Sequence, residues 1–96
     1  MLLDFFRKKQ NSHRRMKKLA CPCCGFLTLL TGPGNYDVCP VCFWEDDPIQ
    51  RDEPDFRGGA NRVSLNEARE NYQEYGACEE QFMDKVRTPF MEEWPD

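Results

Sequence analysis

A small α+β fold is predicted by three features of this 96-residue chain: two cysteine knuckles, a strand-turn-strand pattern between them, and one helix with clear start and stop signals. Cys21-Pro22-Cys23-Cys24-Gly25 and Cys39-Pro40-Val41-Cys42 stand 14 residues apart. If the segment between them folds back as a hairpin, four thiolates converge tetrahedrally on one metal ion. A chain this short buries little apolar surface, so a staple of this kind is what its length calls for. The expected architecture is therefore a zinc-ribbon β-hairpin with two zinc knuckles, packed on one capped helix and a shorter C-terminal helix.

Residues 1–20 read as a basic N-terminal tail, disordered or a short helix, with seven Lys/Arg against Asp4 for a net +6. The remaining 76 residues carry −10. The cysteine-rich unit is placed at 21–92, with 93–96 as a C-terminal tail. Within it, Phe26-Leu27-Thr28-Leu29-Leu30 has strand composition, Thr31-Gly32-Pro33-Gly34-Asn35 signals a turn, and Tyr36-Asp37-Val38 returns as the second strand. From Glu45 to Val63 an acidic, irregular connection is expected, punctuated by Pro48, Pro54 and Gly58-Gly59.

Ser64 and Glu67 form an S-x-x-E capping box that opens a helix. Leu65, Ala68, Tyr72 and Tyr75 share its apolar face, and Gly76 is suited to the left-handed conformation that ends it. A shorter helix is expected from about Glu79 to Val86, and Thr88-Pro89 stops it.

The first knuckle holds three cysteines, and Gly25 selects among them. A glycine after the second ligand accepts positive φ without steric cost, which assigns Cys21 and Cys24 as ligands with Cys39 and Cys42. Phe43 stands where the second knuckle would favour glycine. A left-handed Phe43 costs about 1–2 kcal/mol, small beside the roughly 10–16 kcal/mol of a structural zinc site. One structural Zn²⁺ is expected; rubredoxin-type iron uses similar knuckles and is the competing metal. Cys23 should then point away from the metal, and together with Cys78 it forms a pair of unassigned thiols, read as packed residues or as a joint redox or second-metal site.

No catalytic residue is assigned, since the single histidine, His13, lies in the tail and a histidine-based hydrolase or nuclease needs one in its core. The densest acidic stretch, Trp44-Glu45-Asp46-Asp47, lacks EF-hand spacing. Met1-Leu2-Leu3 is broken at once by Asp4, and no run approaches the roughly 20 apolar residues of a membrane span. A cytoplasmic protein without a transmembrane segment is expected, in a compartment where thiols stay reduced.

Cys21 to Gly25, Cys39 to Asp47, Gly58-Gly59-Ala60-Asn61, Ser64 to Tyr72, Gly76-Ala77-Cys78 and Val86-Arg87 together resemble the bacterial cysteine-rich CPCC domain family over roughly residues 21–92. The resemblance implies a small zinc-ribbon-like bacterial protein and brings no catalytic residue with it. It also marks Trp44 to Asp47 and Gly58-Gly59 as family features. The expected function is a non-enzymatic module that binds a protein partner through a surface built from Trp44, Glu45, Asp46, Asp47, Gly58, Gly59 and Asn61. The alternative is a nucleic-acid-associated ribbon that uses the cations of residues 7–18.

Overall fold

The computed structural model describes residues 18–96. β1 (Leu19–Ala20) pairs antiparallel with β2 (Leu27–Leu29), Leu19 opposite Leu29 and Ala20 opposite Leu27, with a bulge between the two pairs. The predicted α+β class and its two-stranded hairpin hold, but β2 takes its partner from the chain ahead of the first knuckle. Residues 36–38 do not return along it, because the Asp37 carboxylate accepts from the Leu30 and Thr31 amides at 3.0 and 2.7 Å and ties the turn into a closed loop. Tyr36, at φ 62°, then turns the backbone away, and its amide donates to the Asp46 carbonyl. Val38 bridges Glu45 instead.

The connection after the second knuckle is more ordered than expected. It contains α1 (Pro48–Asp52), whose N-cap Asp47 accepts from the Ile49 and Gln50 amides while Pro48 occupies a position that needs no donor. The longer helix, α2 (Leu65–Tyr75), begins at Ser64 with both halves of the capping box in place and ends at Gly76, φ 74°. Leu65 and Ala68 are buried along it. The segment expected as a short α-helix is a 3-10 turn, Glu80–Lys85; no side chain caps it, and its Met83 is half exposed. A second 3-10 turn, Met91–Glu93, follows.

The fold reaches past both expected boundaries. Leu19 is paired in the sheet, and Glu93 is 1% exposed. Arg87 clamps Glu93 with two bonds of 2.8 and 2.9 Å, and the Phe90 amide adds a third at 2.8 Å. The core joins Leu29, Val41, Trp44, Val63, Leu65 and Ala68 to the cysteines.

Two predictions follow from this packing. A Cβ at Gly59 would lie 2.6 Å from Asp47 Oδ2 and 2.8 Å from Gln50 Cδ, so Gly59→Ala should destabilise the domain by about 1–3 kcal/mol in urea unfolding. The second concerns acid. The Arg87 hydrogen bond chiefly, opposed by burial and helped by the Phe90 amide, holds the Glu93 carboxyl below its usual range. Its stabilisation is therefore complete above the unfolded value of about 4 and is lost as pH falls through the lower folded value. Glu93→Gln should cost about 2 kcal/mol near neutrality, less than a fully buried pair because Arg87 is 33% exposed, and the gap to the parent should close below about pH 4.

Candidate metal centre

The two knuckles are the same turn used twice. In the first, Cys21 donates its amide to the Phe26 carbonyl at 2.9 Å and Gly25 donates to Cys21 at 2.8 Å. In the second, Cys39 donates to Trp44 at 2.9 Å and Phe43 to Cys39 at 2.7 Å. Gly25 and Phe43, at φ 86° and 73°, hold the same left-handed position. Phe43 bears the strain of that position while its ring packs on Phe82, centroids 4.7 Å apart.

Repeating the turn brings Cys21, Cys24, Cys39 and Cys42 together, with their sulfurs all within 4.8 Å of one another. Cys21 to Cys42 is 3.6 Å and Cys24 to Cys39 is 3.7 Å. A tetrahedron with metal–sulfur bonds of about 2.3 Å has edges of about 3.8 Å, whereas a disulfide bond is about 2.05 Å. The sulfurs are thus spaced as ligands. Their electrostatics agree, because four close thiolates repel one another without a cation. The Cys39 thiol is pushed far down by hydrogen bonds from Cys21, then Cys24 and Cys42. Cys42 is pushed far up, first by its contact with Cys21. A bound dication would relieve this conflict and hold all four as thiolates.

Supporting contacts orient the cluster. Thr28 Oγ1 lies 2.9 Å from Cys39 Sγ, and the Val41 amide donates to the same sulfur at 3.4 Å. Arg69 of α2 donates to the Pro22 carbonyl, Cys78 to Cys42 and Arg87 to Pro40, so both knuckles are braced from outside the hairpin. Tyr72 packs edge-on to Phe26; burial first, then the charges of Cys24, Cys42 and Cys39, raises its hydroxyl to about 12.

Cys23 occupies in the first knuckle the place that Val41 occupies in the second, and both are buried. Cys23 lies in the core with the ligand cysteines and near enough to Cys42 to help raise that thiol, so it does not simply face away from the cluster as expected. Cys78 is 1% exposed, and burial first, then neighbouring Cys23, pushes its thiol up to about 12. That shift disfavours the thiolate on which reactivity depends.

The surface expected on the connection is largely inside the domain. Trp44 and Asp46 are 0% exposed, and Asp47 and Asn61 are also buried. Asp46 takes a bidentate bond from Arg51 and a third from the Gly34 amide. Asp47 caps α1 and also accepts from Ala60; those amides outweigh burial and hold its carboxyl below the usual range. Asn61 bonds both backbone groups of Glu45 and reaches Gln50, whose amide closes on the carbonyls of Phe56, Asn61 and Val63. These acids and amides stitch the connection together, so they cannot form an outward-facing patch. Gln50, the hub of the network, is fully buried and was not singled out in the sequence, where a lone glutamine gives no signal. Glu45, Gly58 and Gly59 keep some exposure, and Glu45 lines a groove of about 320 Å³ with Val38, Phe43, Asn61, Arg62 and Phe82.

Of the cations expected to contact nucleic acid, those before residue 18 lie outside the described residues. Lys18 sits 3.7 Å from Glu93. No helix among the described residues is long and apolar enough to cross a membrane.

Thr28→Val keeps the side-chain shape and removes the hydroxyl beside Cys39. Metal affinity, read by competition with a chromophoric chelator, should fall about 10-fold or more while helix content stays unchanged.

No curated protein matches the chain at a significant level. The family model described as Cysteine-rich CPCC does match, over residues 19–93, a span that takes in both knuckles, the polar network and the C-terminal clamp. The chain belongs to the cysteine-rich CPCC family.

Proposed function

We propose that this protein is a non-enzymatic, zinc-binding interaction module of the cytoplasm, in which one structural Zn²⁺ is held by Cys21, Cys24, Cys39 and Cys42. The convergence of four mostly buried sulfurs carries this reading, because a four-thiolate shell leaves no open position at which the metal could activate water or substrate. Zinc suits such a shell: it has no redox chemistry and no geometric demand beyond the tetrahedron. The partner is a protein that docks at the groove where Glu45 and Arg62 of the connection meet Val38 and Phe43 beside and within the second knuckle. Apolar side chains rimmed by the Glu45 and Arg62 charges are the composition of a small protein-binding site.

Protein purified from its own host should carry one zinc per chain, be colourless, and unfold when a strong chelator is added. Cys→Ser at any of positions 21, 24, 39 or 42 should lower zinc affinity by orders of magnitude, while Cys23→Ser and Cys78→Ser keep one equivalent. Visible thiolate-to-iron absorption, or metal-free chains that stay folded, would sink the reading. Phe43→Asp should abolish capture of a copurifying protein if the groove is its site.

A further inference from the structure

The short ribbon that frames the second knuckle has two edges, and they are finished differently. Val38 and Glu45 bridge antiparallel, flanked by bonds from the Asp46 amide to the Asp37 carbonyl and from the Cys39 amide to the Trp44 carbonyl, both 2.9 Å. In a pair of this kind the two residues' own N–H and C=O groups point away from each other, toward the outer edges. On the Glu45 side both groups are taken. The Asn61 carboxamide accepts from the Glu45 amide at 2.9 Å and donates to its carbonyl at 2.7 Å, as a neighbouring strand would. On the Val38 side neither group has a partner among the described residues, and Val38 is 48% exposed. An edge left open in this way is a template for another extended chain.

We infer that an extended segment of the partner protein, alternating apolar and basic side chains, adds to this edge and bonds the Val38 N–H and C=O. The inference deepens the docking groove proposed above and rests on it. Val38 and Phe43 line that groove and also a second hollow of about 540 Å³, whose other walls are Pro40 and residues 84–87. At the Pro40 end the chain already bonds another segment through its backbone, the Arg87 amide donating to the Pro40 carbonyl at 3.2 Å. Alternate side chains of an added strand point to opposite faces, so one set reaches Val38 and Phe43. Charge selects the other set. Residues 21–96 hold six Lys/Arg against sixteen Asp/Glu. All five arginines among them are engaged, Arg51, Arg57, Arg62 and Arg87 with carboxylates and Arg69 with Pro22 and Asn66. The Glu45 and Asp84 carboxylates, which line the two hollows, have no ion-pair partner among the described residues, so a basic segment is favoured over an acidic one.

Backbone NMR of the metal-loaded full chain, titrated with the capped peptide Lys-Val-Lys-Val-Lys-Val, tests this directly. The Val38 amide should exchange fast when the protein is alone; saturating peptide should move its resonance downfield and slow its exchange about 10-fold or more. Peptides N-methylated at alternate residues keep every side chain and lose one set of main-chain donors. One of the two such registers should bind about 10-fold more weakly than the parent peptide. Exchanging the lysines for glutamates should also weaken binding, and Glu45→Lys should narrow that preference. Equal affinity for the parent and both N-methylated peptides overturns strand addition, while shifts that still cluster on Phe43 and Phe82 keep the groove as the docking site. A Val38 amide protected before any peptide is added overturns it as well, since the edge is then covered by this chain or, where protection grows with concentration, by a second copy. No shift at millimolar peptide also overturns it and leaves the groove to the Phe43→Asp capture experiment.

Discussion

Four sulfurs drawn to within 4.8 Å of one another are the constraint on which the rest of this domain depends. The sheet has two and three residues per strand, too little to stand alone, and the apolar core is small. Closing Cys21 and Cys24 onto Cys39 and Cys42 pins the ends of the intervening loop. Three later parts of the chain are attached to that clasp: α2 through Arg69 on Pro22, the loop after α2 through Cys78 on Cys42, and the C-terminal segment through Arg87 on Pro40. These braces are backbone carbonyls of the knuckles themselves, so the geometry of the site and the stability of the fold are one property.

Around this clasp the domain uses buried polar groups where a larger protein would use apolar ones. Asp46, Asp47, Gln50, Asn61 and Glu93 are all nearly inaccessible, and each is met by several donors or acceptors. A network so fully satisfied specifies one conformation, since removing any member strands its partners in a medium of low dielectric. It explains how a connection rich in acid, proline and glycine can be ordered. The left-handed Phe43 has a separate cause: the turn must match that of the first knuckle to aim Cys42, and tilted packing on Phe82 helps to offset the strain.

Much of the fold and of the site was legible in the chain because the signals were local. C-x-x-C spacing, the glycine after Cys24 and the Ser64–Glu67 box each act through backbone geometry within a few residues, and all three appear as expected. The acidic run at 44–47 misled for the opposite reason. Composition describes Glu, Asp and Asn as exposed, but whether a carboxylate is solvated depends on which amides come to face it, and here they come from positions 34, 49, 50 and 60.

The sequence by itself determined the class of fold, the four cysteines and the turn that presents them, since these follow from spacing and from which residues tolerate positive φ. Tertiary structure decided the strand pairing and the burial of Cys23, Trp44, Asp46 and Asp47. Those outcomes rest on contacts between residues distant in the chain. A short strand or a lone acid holds no record of its partner until the folded chain has brought the two together.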